Sequence, residues 1–268
     1  MKVSVVGMAL LCVSLFFAVL IFTGQSVAEI DLGTAAGLWL FDEGQGNVAK
    51  DSSGSGLDGE FTGNPKWVDG KFGKALEFDG ASYVTIPDHV NPTAAITISA
   101  WVKSATATWN DHGWIVEKRD AYILHPNGGS TNVSFCVVNG GPWNLPQSWD
   151  SGAVGPDDIT EWHMYTCTYD SSTGEWKIYI DGEVASSLDL NKAELAEDAG
   201  PVHIGWDECC GGTRFGKGII DEVAVFNVAL SENDIQTIMN NGLGPSVLAA
   251  VEPADKLATK WGEIKARL

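Results

Sequence analysis

Between residues 37 and 230 the chain is a run of short apolar segments, each broken by Gly, Asn, Asp or Pro, with almost no helical period before Ser231. That pattern limits the fold more than any other feature. Leu38-Trp39-Leu40-Phe41 stops at Asp42-Glu43-Gly44, and Asp51-Ser52-Ser53-Gly54-Ser55-Gly56 is a turn-rich loop. Ala75-Leu76-Glu77-Phe78-Asp79 and Tyr83-Val84-Thr85-Ile86 flank a kink at Gly80. Residues 96–103 alternate apolar and small polar side chains, as a strand with one buried face should. Further strands are expected at 114–118, 122–124, 133–138, 162–169, 175–180 and 202–205, with Asp181-Gly182 as a strong hairpin signal. Many short strands without crossover helices pair antiparallel and stack as a two-sheet sandwich. Trp101, Trp162, Trp176, Tyr169 and Phe226 are expected in its core.

The closing strand starts at Gly218, carries the pair Asp221-Glu222 and runs through Val223-Ala224-Val225-Phe226. Ser231 follows as the N-cap of a short helix through Met239. The whole reads as all-β, with one helix after the last strand and a second in the tail.

Residues 1–28 read as a signal peptide. Lys2 is the positive end, the run to Phe22 is apolar, and Ser26-Val27-Ala28 is a small-x-small cleavage site. The apolar run approaches membrane-spanning length, but small residues follow it and no basic cluster does. Leu11 before Cys12 does not suit a lipid anchor. The expected product is secreted, extracellular or periplasmic, with no membrane contact after cleavage. Of 16 basic residues, removal of Lys2 leaves 15 against 35 acidic, a formal charge of −20. Such a surface disfavours nucleic acid and anionic lipid and suits divalent cations. Residues 29–244 are assigned to the β-domain and 245–268 to a linker and amphipathic tail. In that tail Leu257, Trp261, Ile264 and Leu268 share a helical face.

The order of the pieces resembles the laminin G-like jelly roll, within the concanavalin A-like lectin/glucanase group that includes pentraxins. The matching segments run from Leu38-Trp39-Leu40-Phe41-Asp42-Glu43-Gly44 through Leu76-Glu77-Phe78-Asp79-Gly80, Ile98-Ser99-Ala100-Trp101-Val102 and Tyr179-Ile180-Asp181-Gly182-Glu183 to Ile220-Asp221-Glu222-Val223. The resemblance implies a jelly-roll sandwich of two antiparallel sheets, ligand sites on a rim of loops, and often calcium. Carried over by motif, the pentraxin-like calcium ligands fall on Asp120, Asp207 and Glu208. Cys209-Cys210 stands where a further Asp would follow. Adjacent first and last strands would also bring Asp42 to Asp221, with Asp79 or the Asp51 loop joining them as a structural calcium site. Calcium takes about six to eight oxygens, so backbone and water would have to complete either set.

Four cysteines remain after cleavage: Cys136, Cys167, Cys209 and Cys210. Export permits disulfides. A bridge between the neighbours Cys209 and Cys210 needs a strained ring, so the expectation is that each pairs elsewhere or that Cys136 joins Cys167; spacing does not decide among these.

Three loops carry aromatics beside amides and acids: 109–114, 140–150 and 206–208. Sugars present apolar C–H faces ringed by hydroxyls, which such a mixture suits. Trp143, Asn144, Trp149 and Trp206 are the ligand-binding candidates, whereas Trp114 starts a strand and is expected in the core. Catalysis is disfavoured. The Glu-x-Asp-x-x-Glu strand of laminarinase-type glycosidases is matched only by Glu29-Ile30-Asp31, without its last Glu, and there is no Gly-x-Ser-x-Gly or His-Glu-x-x-His. Alternation along the closing strand is expected to send Asp221 and Glu222 to opposite faces, where they could not flank one bond. The expected function is a secreted, non-catalytic, carbohydrate-binding module, with calcium as its candidate cofactor. Its rivals are a structural or protein-interaction domain at the cell surface and, least favoured, a glycosidase. The partner is thus a glycan or an extracellular protein.

Overall fold

A computed structural model describes residues 30–89, 91–141, 143–144 and 152–248. The expected signal peptide over 1–28, Trp149 and the helix expected over 256–268 lie outside the described residues. The chain forms two antiparallel sheets stacked as a jelly-roll sandwich. Edge to edge, the first runs Glu183–Asp189, Glu175–Ile180, His163–Asp170, Ala95–Ser104, Lys217–Phe226, Lys74–Asp79 and Lys66–Asp69, with Ala35–Trp39 also paired to Lys217–Phe226. The second runs Trp143–Asn144, Val133–Val138, Tyr122–Pro126, Val116–Lys118, Val202–Ile204, Tyr83–Ile86, Gly59–Thr62 and Val48–Ala49. A small hairpin pairs Trp206–Asp207 with Arg214–Phe215.

Alternation sets the layers. Along Ala95–Ser104, Ile96, Ile98, Ala100 and Val102 enter the core between the sheets, while Trp101 points out. Trp39, Trp109, Trp114 and Trp176 are the bulkiest fully buried residues of that core. Asp181 (φ 51°) and Gly182 (φ 78°) both take the left-handed conformation that a tight primed hairpin demands. On the outer face of the first sheet, Leu38, Trp101, Met164, Tyr179 and Phe226 meet Ile235 and Ile238 of the helix Glu232–Asn241. Truncating either isoleucine to alanine would cost about 2–5 kcal/mol. Ser231 caps this helix reciprocally with Asp234. The packed body continues through Gly244–Leu248, where Val247 is buried on the same patch.

One local departure overturns an expectation. Ile220 and Val223 both point inward although they are three positions apart, because a bulge lies between Asp221 and Ala224. Glu222 absorbs the extra residue at φ 52°. Asp221 and Glu222 therefore do not split across the sheet: Asp221 turns against the turn 70–73 and Glu222 against residues 242–243. Asp221 Oδ2 accepts from the N–H groups of Lys71 and Phe72, at 2.8 and 3.0 Å. Glu222 accepts from the N–H of Leu243.

Burial holds both carboxyls well above their ordinary range, Asp221 at about 8 and Glu222 at about 7; each is raised further by a neighbouring acid. The folded chain thus binds more protons than the unfolded chain between roughly pH 4 and pH 8, so this pair's contribution to stability falls as pH rises through that window. Thermal unfolding at a series of pH values should show a decline in Tm across that window that is flatter in Asp221→Asn. Equal slopes in the two proteins would contradict this.

Candidate binding face

The candidate site is built on the outer face of the second sheet, since the helix covers that of the first. In the second sheet Val116, Tyr122, Leu124, Phe135, Val137, Val202 and Ile204 point into the core. Alternation then sends Glu117, Ile123, His125, Ser134, Cys136 and His203 outward. They are nonetheless buried, because loops and the hairpin Trp206–Phe215 fold across them.

Asp207 ties those coverings together. It is fully buried, and its two oxygens accept from Arg119 Nη1 and Arg214 Nη1, each at 3.0 Å. The N–H of Cys209 donates to Oδ1 at 2.9 Å. Gly113, at φ 70°, lies so close to this carboxylate that a Cβ there would overlap it. Arg119 in turn stands 5.5 Å from the ring centre of Trp143.

Beside this knot, His203 and Glu117 are register partners on neighbouring strands, with Nδ1 and Oε1 2.8 Å apart. Burial raises the Glu117 pKa, and the His203 hydrogen bond opposes the rise. Trp206 stacks on Tyr83 at 4.6 Å and meets the edge of His203 at the same separation. Farther along, burial depresses His125 to about 4, leaving a neutral imidazole whose Nδ1 lies 2.9 Å from Asn127 Oδ1. At the sheet's far edge, Trp143 joins Asn139, Gly140, Gly141, Asp189 and Asn191 around an open groove of about 440 Å³.

The structure gathers some of the expected site residues and separates others. Trp143 and Trp206 are half-buried and belong to this face. Asn144 is placed through its backbone opposite Val137. Asp207 and Glu208 belong to it as well, but Asp120 is exposed and donates its N–H to Asp198. With both Asp207 oxygens taken by guanidinium groups, that trio does not offer calcium its oxygen shell. The second trio does not assemble either. Asp42 and Asp221 bracket the turn 70–74, with Asp42 Oδ1 accepting from the N–H of Lys74. Asp79 lies at the other end of its strand, where it accepts from Ala81 N–H and the Ser82 hydroxyl. Of the loop 109–114, Trp109 as well as Trp114 is core, not platform; the two rings pack edge-on at 5.7 Å.

The cysteine expectation is corrected. Cys209 is bridged to Cys210, and Cys136 and Cys167 are free and buried. The backbone reason for the first lies in Cys210 at φ 58°, followed by Gly211 and Gly212 at φ 86° and 69°. This left-handed run bends the chain tightly enough to close a ring over one peptide bond. The second follows from alternation: Cys167 faces the inner core, while Phe135 and Val137 take the inner positions of their strand and send Cys136 outward. Residues that sequence reasoning missed are His203, His125, Arg119 and Arg214. Apart from their unequal distribution among many acids, no local motif marks them.

Residues 78–236, more than half of the chain, match the concanavalin A-like lectin/glucanases superfamily, and the chain belongs to it. It is 24% identical over 179 residues to a rat protein, the sushi, von Willebrand factor type A, EGF and pentraxin domain-containing protein 1. That stretch is 63% of this chain but only 5% of the much longer rat protein. Among solved structures it is similar to domain 4 of AbnA, an extracellular arabinanase from Geobacillus stearothermophilus, determined with arabinotriose. The TM-score is 0.58 at 23% identity, covering 77% of this chain and 98% of that domain. It is also similar to the binding domain of botulinum neurotoxin DC, determined with rat synaptotagmin II. There the TM-score is 0.58 at 14% identity, over 79% of this chain and 52% of the other. At these identities the structural likeness establishes the fold alone.

Peptide mapping of the non-reduced protein should find a link within one peptide joining Cys209 to Cys210. Cys136 and Cys167 should react with an alkylating agent only after unfolding, as burial keeps both thiols protonated. A Cys136–Cys167 crosslink would contradict the arrangement.

Proposed function

We propose that this chain is an exported, non-catalytic carbohydrate-binding module whose ligand lies at the Trp143 end of the second sheet's outer face. The carrying observation is the groove itself. It combines a half-buried indole with the exposed Asp189 carboxylate, beside Gly140, Gly141 and the mutually hydrogen-bonded Asn139 and Asn191. An indole plane covers the apolar face of a sugar ring, while an exposed carboxylate accepts hydrogen bonds from its hydroxyls. The arabinotriose complex of the similarly folded arabinanase domain supports a sugar ligand, and the synaptotagmin complex of the toxin domain makes a protein partner the competing outcome.

A non-catalytic role is supported by the state of the carboxylates on this face. Asp207 is neutralised by two arginines, and Glu117 is fully buried against His203. A glycosidase needs two carboxyls flanking an accessible bond.

A glycan array that includes arabino-oligosaccharides tests the reading. We expect binding, weakened about tenfold or more by Trp143→Ala, in keeping with the loss of about 1–3 kcal/mol for an aromatic anchor. Failure to bind any glycan, or full affinity in Trp143→Ala, would overturn the proposal.

A further inference from the structure

We propose that Glu117, His203 and Glu208 form a binding site for a divalent transition-metal ion of the zinc class. One donor atom from each residue lies within 4.8 Å of the other two, and this is the one such trio among the described residues. Ligand atoms about 2.0–2.2 Å from zinc stand roughly 3–4 Å from one another. The trio closes by rotating the exposed Glu208 onto Glu117 and His203, whose atoms, 2.8 Å apart across a hydrogen bond, part slightly as the ion displaces the proton between them into solvent.

Those partners are held as a metal site requires. Glu117 and His203 sit opposite one another on hydrogen-bonded strands and are 0% and 4% exposed. The imidazole is gripped edge-on by Trp206 and Tyr83. Glu208 begins the tight segment closed by the Cys209–Cys210 bridge, and its own N–H points back to Glu117 Oε1 at 3.4 Å.

A second observation, independent of the spacing, points to a missing cation. Glu117 Oε2 is buried without any hydrogen-bond partner. The neighbouring Asp207, by contrast, has a guanidinium on each oxygen. Glu117 has no Lys or Arg among its hydrogen-bond and ion-pair partners, only the His203 imidazole and the Glu208 amide. An unpartnered buried carboxylate oxygen is costly, and a metal ion supplies the missing charge. The donor chemistry then selects the ion. One imidazole nitrogen with two carboxylates suits zinc and its neighbours in the transition series, whereas calcium takes oxygen donors in greater number. Three protein ligands leave a coordination position for water.

The site is separate from the Trp143 groove, so its test does not depend on any glycan. The full chain, non-reduced and stripped with a chelator, would be titrated with zinc chloride by calorimetry, and with calcium chloride in parallel. We expect a single zinc ion per chain, a rise in Tm with zinc, and no comparable effect of calcium. Glu208→Ala removes an exposed ligand without touching the core, so it should keep the apo Tm and weaken zinc binding about tenfold or more. His203→Gln should weaken it likewise. No zinc binding, calcium binding as tight as zinc, or undiminished zinc affinity in Glu208→Ala would overturn the proposal.

Discussion

The second sheet's outer face depends on one buried carboxylate. Asp207 is reached from three separate segments: Arg119 at the end of one strand, Arg214 on the opposing arm of its own hairpin, and the Gly113 turn. In a chain with more than twice as many acidic as basic residues, two of the 16 basic side chains converge here. The carboxylate is fully buried and each of its oxygens meets one guanidinium, so removing the acid would leave two positive groups without their partner. Breaking a buried pair in that way costs about 3–5 kcal/mol, and these partly exposed arginines place the loss near the lower end. Arg119 extends the knot to Trp143, linking the interior ion cluster to the rim of the groove.

This arrangement divides labour between the two outer faces. The first sheet's is closed by apolar packing against a capped helix. The second carries polar groups under its coverings: His125, Asn127, Ser134, Glu117 and His203 are all buried. Buried polar groups demand partners, and several here are left short within the described residues: Glu117 Oε2, Asn127 Nδ2 and Ser134 Oγ. A sandwich that closes one face with hydrocarbon and keeps the other polar has the form of a binding scaffold. Membership in the concanavalin A-like superfamily accords with that use, although the fold alone does not name a ligand.

Local chemistry made much of the fold legible. The Asp181-Gly182 turn and the Ser231 cap follow from backbone preference, the antiparallel meeting of the first and last strands from the family resemblance, and all are present. The short strands Val48–Ala49, Gly59–Thr62 and Lys66–Asp69 lack a strong apolar alternation, and no strand is expected there from the sequence. Long-range pairing was harder still. Asp207 reads as a loop acid suited to calcium until Arg119, 88 residues away, is brought beside it. The split of Asp221 from Glu222 failed because a bulge breaks the period-two rule at that point, and nothing in Ile-Ile-Asp-Glu-Val announces one. The Cys209–Cys210 bridge depended on a left-handed bend that the following glycines permit but do not compel.

Hydrogen–deuterium exchange on the wild type and Asp207→Asn tests most directly whether this carboxylate organises the face. If it does, the substitution raises amide exchange together in residues 111–114, 117–120 and 206–215, segments joined in space but distant in sequence, and leaves the helix Glu232–Asn241 unchanged. Faster exchange confined to residues 206–209, with the other segments as protected as before, would contradict the account.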